Sequence, residues 1–223
     1  MKHVNLLKNT TLLLSLLLFI SLTRTVYGND TIKLSSPPLS PKALAGLTIT
    51  DINNLEAGEI VILKQDSKSE NRNKSLIKAS LVINKPIEKV WRLIKCTECQ
   101  AQYIPDLEES NLVNSYKNGN TVAFTVKALF FTIRYRVNHY FQDNDYRLTW
   151  KLDKSYKHDI KDLYGYWQFY KIDDDHTLAR YGSKLDVGSF VPEFVENYLT
   201  RKDLPKALHA VKKWIESDGK YRK

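Results

Sequence analysis

The chain has 223 residues with 34 Lys and Arg against 25 Asp and Glu, a formal net charge of +9. Hydrophobic residues make up 43%, with 8 Gly and 7 Pro, which excludes collagen-like, low-complexity and wholly disordered chains. Two cysteines are too few for a small disulfide-built scaffold, so a hydrophobic core must carry the fold.

Residues 1–28 have the order of a secretory signal peptide. Lys2 and Lys8 give a positive start, the run Leu12 to Ile20 is apolar, and Val26-Tyr27-Gly28 offers a cleavage site after Gly28. The apolar run is shorter than the ~20 residues that span a bilayer. Cleavage removes Lys2, Lys8 and Arg24 and no acid, which lowers the charge from +9 to +6. The expected location is an exported compartment.

Residues 29–74 read as an N-terminal extension. Pro37, Pro38 and Pro41 mark an extended arm. Thr50 to Leu55 resembles a capped helical turn ended by Gly58, and Glu59 to Leu63 a strand. The charged stretch Gln65 to Lys74 is a loop. The main domain, residues 75–218, opens with a strand over Leu76 to Ile83. A helix follows, with Asn84 as candidate cap, Pro86 in the first turn, and Ile87, Val90, Trp91 and Ile94 on one face. A second short helix precedes Tyr103-Ile104-Pro105.

Strands then dominate. Asn111 to Tyr116 and Thr121 to Lys127 flank an Asn-Gly hairpin signal at Asn118-Gly119. Leu129 to Phe141 is one long strand and Tyr146 to Asp153 the next. Leu163 to Ile172 and Thr177 to Val187 flank Asp173-Asp174-Asp175-His176. Pro192 to Ser217 is helical, with Leu204, Leu208, Val211 and Ile215 on one face, and Pro205 should kink or divide it. Residues 219–223 are a basic tail. The fold class is α+β, an antiparallel sheet covered by a long C-terminal helix.

Period-two alternation sorts the strands by face. Phe124 and its neighbours face inward, as do Leu129, Phe131, Ile133, Tyr135, Val137, His139 and Phe141. Leu148, Trp150 and Leu152, then Gly165, Trp167 and Phe169, and finally Tyr181 share that side. Such an aromatic face is either an ordinary packed core or a cavity for an apolar ligand, and periodicity does not choose between them.

Several segments together resemble the START-like superfamily, also called SRPBCC. These are Ala79 to Trp91, Tyr103-Ile104-Pro105, Gly165 to Phe169, Thr177 to Tyr181, Val191 to Phe194 and Asp203 to Leu208. The resemblance covers about Leu76 to Ser217, and residues 55–61 are similar to the lead-in segment of exported bacterial members. It implies a helix-grip fold, with the sheet curled around the C-terminal helix and a hydrophobic tunnel between them. It also implies a periplasmic setting. It supplies no catalytic motif.

Cys96-Thr97-Glu98-Cys99 is a CxxC spacing. A structural disulfide in an oxidising compartment leads over a reduced pair and over redox catalysis, which needs a preceding strand and a long following helix. One CxxC supplies two metal ligands, so neither a metal nor a cofactor is expected. His139 is either a core histidine or a ligand contact, with Tyr135 and Tyr181 as partners, and no second inward His or carboxylate is evident. Asp106 and Glu109 read as acids at loops or helix ends.

Three functions fit. The leading one is a carrier of a lipid-like or polycyclic hydrophobic small molecule, with Phe124, Phe131, Tyr135, His139, Trp150, Trp167 and Tyr181 as cavity wall. The second is a cyclase/dehydrase- or hydrolase-type enzyme with His139 as general base. The third is an interaction module with a filled core. The basic balance allows peripheral contact with an anionic membrane surface, through Lys212-Lys213 and the tail. Nucleic acid is not expected, because no compact basic stripe is present.

Overall fold

The computed structural model describes residues 32–34, 39–63, 76–188 and 192–223. The leader and the charged loop 65–74 lie outside the described residues.

The described strands form one antiparallel sheet in the order β1-β2-β8-β7-β6-β5-β4-β3. They are β1 (Val61–Leu63), β2 (Ile77–Ile83), β3 (Leu107–Tyr116), β4 (Gly119–Ala128), β5 (Phe131–Gln142), β6 (Arg147–Leu152), β7 (Asp162–Lys171) and β8 (Thr177–Asp186). Chain neighbours pair as hairpins from β3 to β8, and β8 returns beside β2. The turn between β3 and β4 is Lys117-Asn118, tighter than the four-residue turn expected. A methyl group on Gly119 would overlap the His139 carbonyl and the Tyr116 ring, so glycine lets the strands close there.

Helix α3 (Ile87–Ile94) buries Ile87, Val90, Trp91 and Ile94, the four residues its spacing selects. Asn84 does not cap it. Pro86 occupies the cap, and the Asn84 N–H instead donates to Glu216 Oε1 at 2.9 Å. The C-terminal segment stays helical but changes its winding ahead of Pro205. It runs as α4 (Glu193–Asn197), a π-helical turn (Tyr198–Asp203) and α5 (Leu204–Glu216), and the widened turn stands just before Pro205, which lacks the N–H that a regular α-helical turn would use. Leu208, Val211, Trp214 and Ile215 of α5 are buried in a core shared with α3 and the concave face of the sheet. The fully buried Tyr103 stacks on Trp214 at 4.8 Å.

The N-terminal extension is built into the sheet. β1 pairs with β2. Helices α1 (Pro41–Leu44) and α2 (Ile49–Glu56) bring Ala43 and Leu55 into a second core with Leu34, Val61, Val82, Ile172 and Leu178, on the opposite face of the sheet. A capping box between Thr48 and Asp51 starts α2. Arg180 of β8 donates to the Ala43 and Ala45 carbonyls at 2.6 and 2.7 Å, tying the end of α1 to the sheet.

Two expectations at the start of β5 change. Leu129 and Phe130 form the turn between β4 and β5 rather than strand, since Ala128 pairs with Phe131. Leu129 has φ 57° and is half exposed, so it leaves the inner face.

Candidate functional site

Between the concave face of the sheet, the π-helical turn and α5 lies a cavity of about 260 Å³. Its walls follow from alternation. Phe124 of β4, Tyr135 and His139 of β5, Trp150 of β6, Trp167 of β7 and Tyr181 of β8 all line it. Adjacent strands place Phe124 against Tyr135 at 5.7 Å and Trp167 against Tyr181 at 4.8 Å, and Trp150 of β6 reaches across β7 to Tyr181 of β8 at 5.7 Å. Phe131 does not line the cavity. As the first residue of β5 it lies beyond the rim and meets Phe194 edge-on at 6.1 Å. Trp167 lines the cavity and also belongs to the main core, stacked on Phe169.

Gly165, the partner of Trp150 across the β6–β7 ladder, shapes this wall. A methyl group there would overlap the Trp150 indole and the Gly182 carbonyl. Its absence lets the indole lie against the sheet.

Among the polar groups of the lining, His139 and Asp203 are buried. His139 is 4% exposed, and its Nδ1 has no hydrogen-bond partner. Burial pushes the imidazole down to about 3, against a smaller opposing pull from the Asn120 backbone, so the ring is neutral at physiological pH. Burial raises the phenol of Tyr135, as does the neighbouring Tyr181, which is itself pushed up by burial to about 12. Both stay protonated donors.

The expectation that no carboxylate faces inward fails. Asp106 and Asp203 both line the cavity. Asp203, in the π-helical turn, is 7% exposed, and its Oδ1 has no partner. Burial, then the negative charge of Asp106 and a hydrogen bond between the two carboxyls, push Asp203 up to about 6, while Lys206 pulls the other way. Tyr198 Oη donates to Asp106 Oδ2 at 2.9 Å. Below about pH 6 Asp203 therefore carries a proton that it can donate, and above it the carboxylate adds a buried negative charge that accepts from a donor. Asp106 directly follows Pro105 and Asp203 lies two residues before Pro205, each at an element boundary. That was the signal in the sequence, but 97 residues separate them and only the fold brings them together.

His139 and the carboxyl pair are not an acid–base couple. The Asp106 carbonyl accepts from the N–H of Lys127, whereas His139 stands opposite Asn120 on β4. Seven residues of strand separate those levels, roughly 20 Å. His139 and the carboxyl pair therefore sit toward opposite ends of an aromatic cavity.

Cys96 and Cys99 are joined by a disulfide at the start of the 3₁₀ helix Thr97–Gln102. Helix α3 precedes the pair, and a single short helix follows it, so the surroundings lack the strand and long helix of a redox motif. Neither cysteine lines the cavity. His158, His176 and His209 also lie outside it: His158 Nδ1 meets the Ile160 carbonyl, His176 meets Asp173, and His209 is exposed. Among the described residues no three His, Cys, Asp or Glu side chains converge as a metal site, and no helix is long and apolar enough to cross a membrane.

No family model and no curated protein sequence matches the chain. Solved structures do. The Zhui aromatase/cyclase from Streptomyces sp. R1128 superposes with a TM-score of 0.56 at 12% identity, over 64% of this chain and 93% of that one. A STAR-related lipid transfer protein from Xanthomonas axonopodis gives 0.56 at 13%, over 70% and 98%. A START superfamily protein from Mycobacterium smegmatis gives 0.54 at 13%, over 64% and 97%. At these identities the likeness is one of fold: the chain has the START-like helix-grip architecture, an α+β sheet closed over its C-terminal helix.

Proposed function

We propose that this chain is an exported, most simply periplasmic, carrier of a hydrophobic small molecule or lipid of modest size. The observation that carries the reading is the lining: an aromatic cavity in which His139 Nδ1 and Asp203 Oδ1 are buried without partners. Buried polar atoms left unpaired are costly, and a bound molecule with polar groups at its ends would satisfy them. The cavity of about 260 Å³ lies just below the ~300–1,000 Å³ usual for small-molecule sites, which suits a slender ligand. Apolar burial would supply most of the affinity. The carboxyl pair selects the end group: it receives a hydroxyl or an amine and repels a carboxylate. Export rests on the order of residues 1–28.

An enzyme using His139 as general base is less well supported, because no carboxylate orients the ring and the nearest acids of the lining lie toward the other end of the cavity.

The test is to purify the protein from its native host under mild conditions, extract it with organic solvent and identify the extract by mass spectrometry. The expected result is a stoichiometric apolar compound bearing a hydroxyl or amine. Ligand-free protein that also binds no long-chain alcohol or amine in solution would overturn the reading.

A further inference from the structure

The two hairpins that flank β4 are built differently. At one end the turn is Lys117-Asn118, closed by Gly119, the polar chemistry that two-residue turns favour. At the other end the turn is Leu129-Phe130. Leu129 holds φ 57° and Phe130 does not share a positive φ. A positive φ at the first central position is the place where a hairpin turn takes glycine. A bulky side chain there is strained, yet Leu129 is 50% exposed and Phe130 is 99% exposed. Phe194 of α4, 55% exposed, joins them through its edge contact with Phe131. Two large apolar side chains thus project from a turn where folding alone would favour Asn and Gly, and the exposed Phe194 lies against the next residue, Phe131.

Their position is at the rim of the cavity. Ala128 and Phe131 pack in a cluster with Val126, Ile133, Ile160 and Leu199, and those four also line the cavity. The exposed tip is continuous with the apolar path into the site.

We propose that the Leu129-Phe130 tip, with Phe194, inserts into the interface of a lipid bilayer and sets the cavity rim on the membrane. Its purpose rests on the carrier reading, but its geometry does not. The area favours a bilayer over a protein. Three side chains of this size present roughly 450–750 Å² even when wholly buried, short of the ~800 Å² per partner of a stable protein interface. A bilayer interface asks only that apolar groups reach ~5–10 Å into it, which a hairpin tip does. Each inserted side chain contributes roughly ten- to hundredfold in partitioning. Several of the basic groups that the sequence offers for lipid contact are engaged elsewhere. Lys212 donates to the Val82 carbonyl and pairs with Glu216. Lys223 Nζ donates to the carbonyls of Ile104, Pro105 and Leu107, and Arg222 lies over Trp214.

Both native cysteines are paired, so Phe130→Cys supplies a single free thiol for a polarity-sensitive fluorophore. In the full chain, with vesicles of phosphatidylcholine alone or with phosphatidylglycerol, the label should shift to the blue and brighten. The same label at Tyr116→Cys, on the opposite hairpin, should not change. In protein processed by its host, Leu129→Gly with Phe130→Asn should lower vesicle binding by tenfold or more without lowering the melting temperature, while solvent-extractable ligand stays at wild-type level. The proposal is overturned if the label at 130 ignores vesicles, if the double variant binds them as well as wild type, or if the label responds to protein concentration alone, which would mark a self-association surface. Loss of extractable ligand in wild type as well would count against the carrier reading and leave the vesicle result standing.

Discussion

His139→Phe separates a buried neutral imidazole from an ordinary core residue. Unfolded, the imidazole binds a proton near pH 6.5; in the folded protein burial holds that step down to about 3. The unfolded chain therefore takes up more protons as the pH falls. Stability from this site is fully present above 6.5 and is lost as the pH falls through 6.5 toward 3. At pH 5 the loss is about 2 kcal/mol, and at pH 7.5 it is about zero, at roughly 1.4 kcal/mol for each unit of pH below 6.5. Phe carries no proton, so the stability difference between variant and wild type should move by about 2 kcal/mol in the variant's favour between pH 7.5 and pH 5. For a domain of this size that is about 4–8 °C in melting temperature. Taking the difference cancels every other titrating group and any fixed packing change. Thermal melts followed by circular dichroism at the two pH values read it. If variant and wild type lose stability in parallel, His139 is solvated or charged in the folded state, and burial does not hold its imidazole neutral.

The remaining predictions use the same lining. Asp203 holds its proton up to about 6 when folded and releases it near 3.8 when unfolded, so its contribution is present below 3.8 and lost as the pH rises through 6. Asp203→Asn should gain about 1–2 kcal/mol on wild type between pH 4 and pH 7.5, read by denaturant midpoints; an equal effect at both values would mean that burial beside Asp106 does not raise this carboxyl. Gly165→Ala should cost about 1–3 kcal/mol and alter Trp150 emission, since the added methyl displaces the indole; unchanged emission and stability would show that the indole is not held against the sheet. Trp167→Phe is the better probe of the wall than Trp167→Ala, because truncation would also cost ~3–5 kcal/mol of core. It should weaken ligand retention with little change in melting, and wild-type retention would remove Trp167 from the wall. Replacing Cys96 and Cys99 together by Ser should lower stability by about 2 kcal/mol or less and leave ligand retention intact, because the loop is short and lies off the cavity. Lost retention in the folded double variant would overturn that separation.

Local chemistry was legible in the sequence wherever one residue's neighbours along the chain decide its place. Alternation put Phe124, Tyr135, His139, Trp150, Trp167 and Tyr181 on one face, and all six line the cavity. Pro205 interrupts the regular α-helical winding of the C-terminal segment, which a π-helical turn takes up just before it, and the spacing of α3 names its four buried residues. Alternation misled at Leu129 and Phe131, where the strand begins two residues later and the tip belongs to a turn. Period two assigns a face but says nothing of what stands opposite it. Whether the aromatic face is filled or hollow depends on how far α5 and the π-helical turn stand from the sheet, and that distance belongs to the tertiary structure. So does the meeting of Asp106 with Asp203, two acids with ordinary local roles until the chain folds one against the other. The same holds for the second core under Leu34 and Leu55, which no pattern within residues 29–74 directs to the back of β2 and β8. Local sequence encodes which side a residue faces, because backbone geometry repeats; what it meets there is set by chain segments far away in sequence, whose packing is decided by the whole core at once.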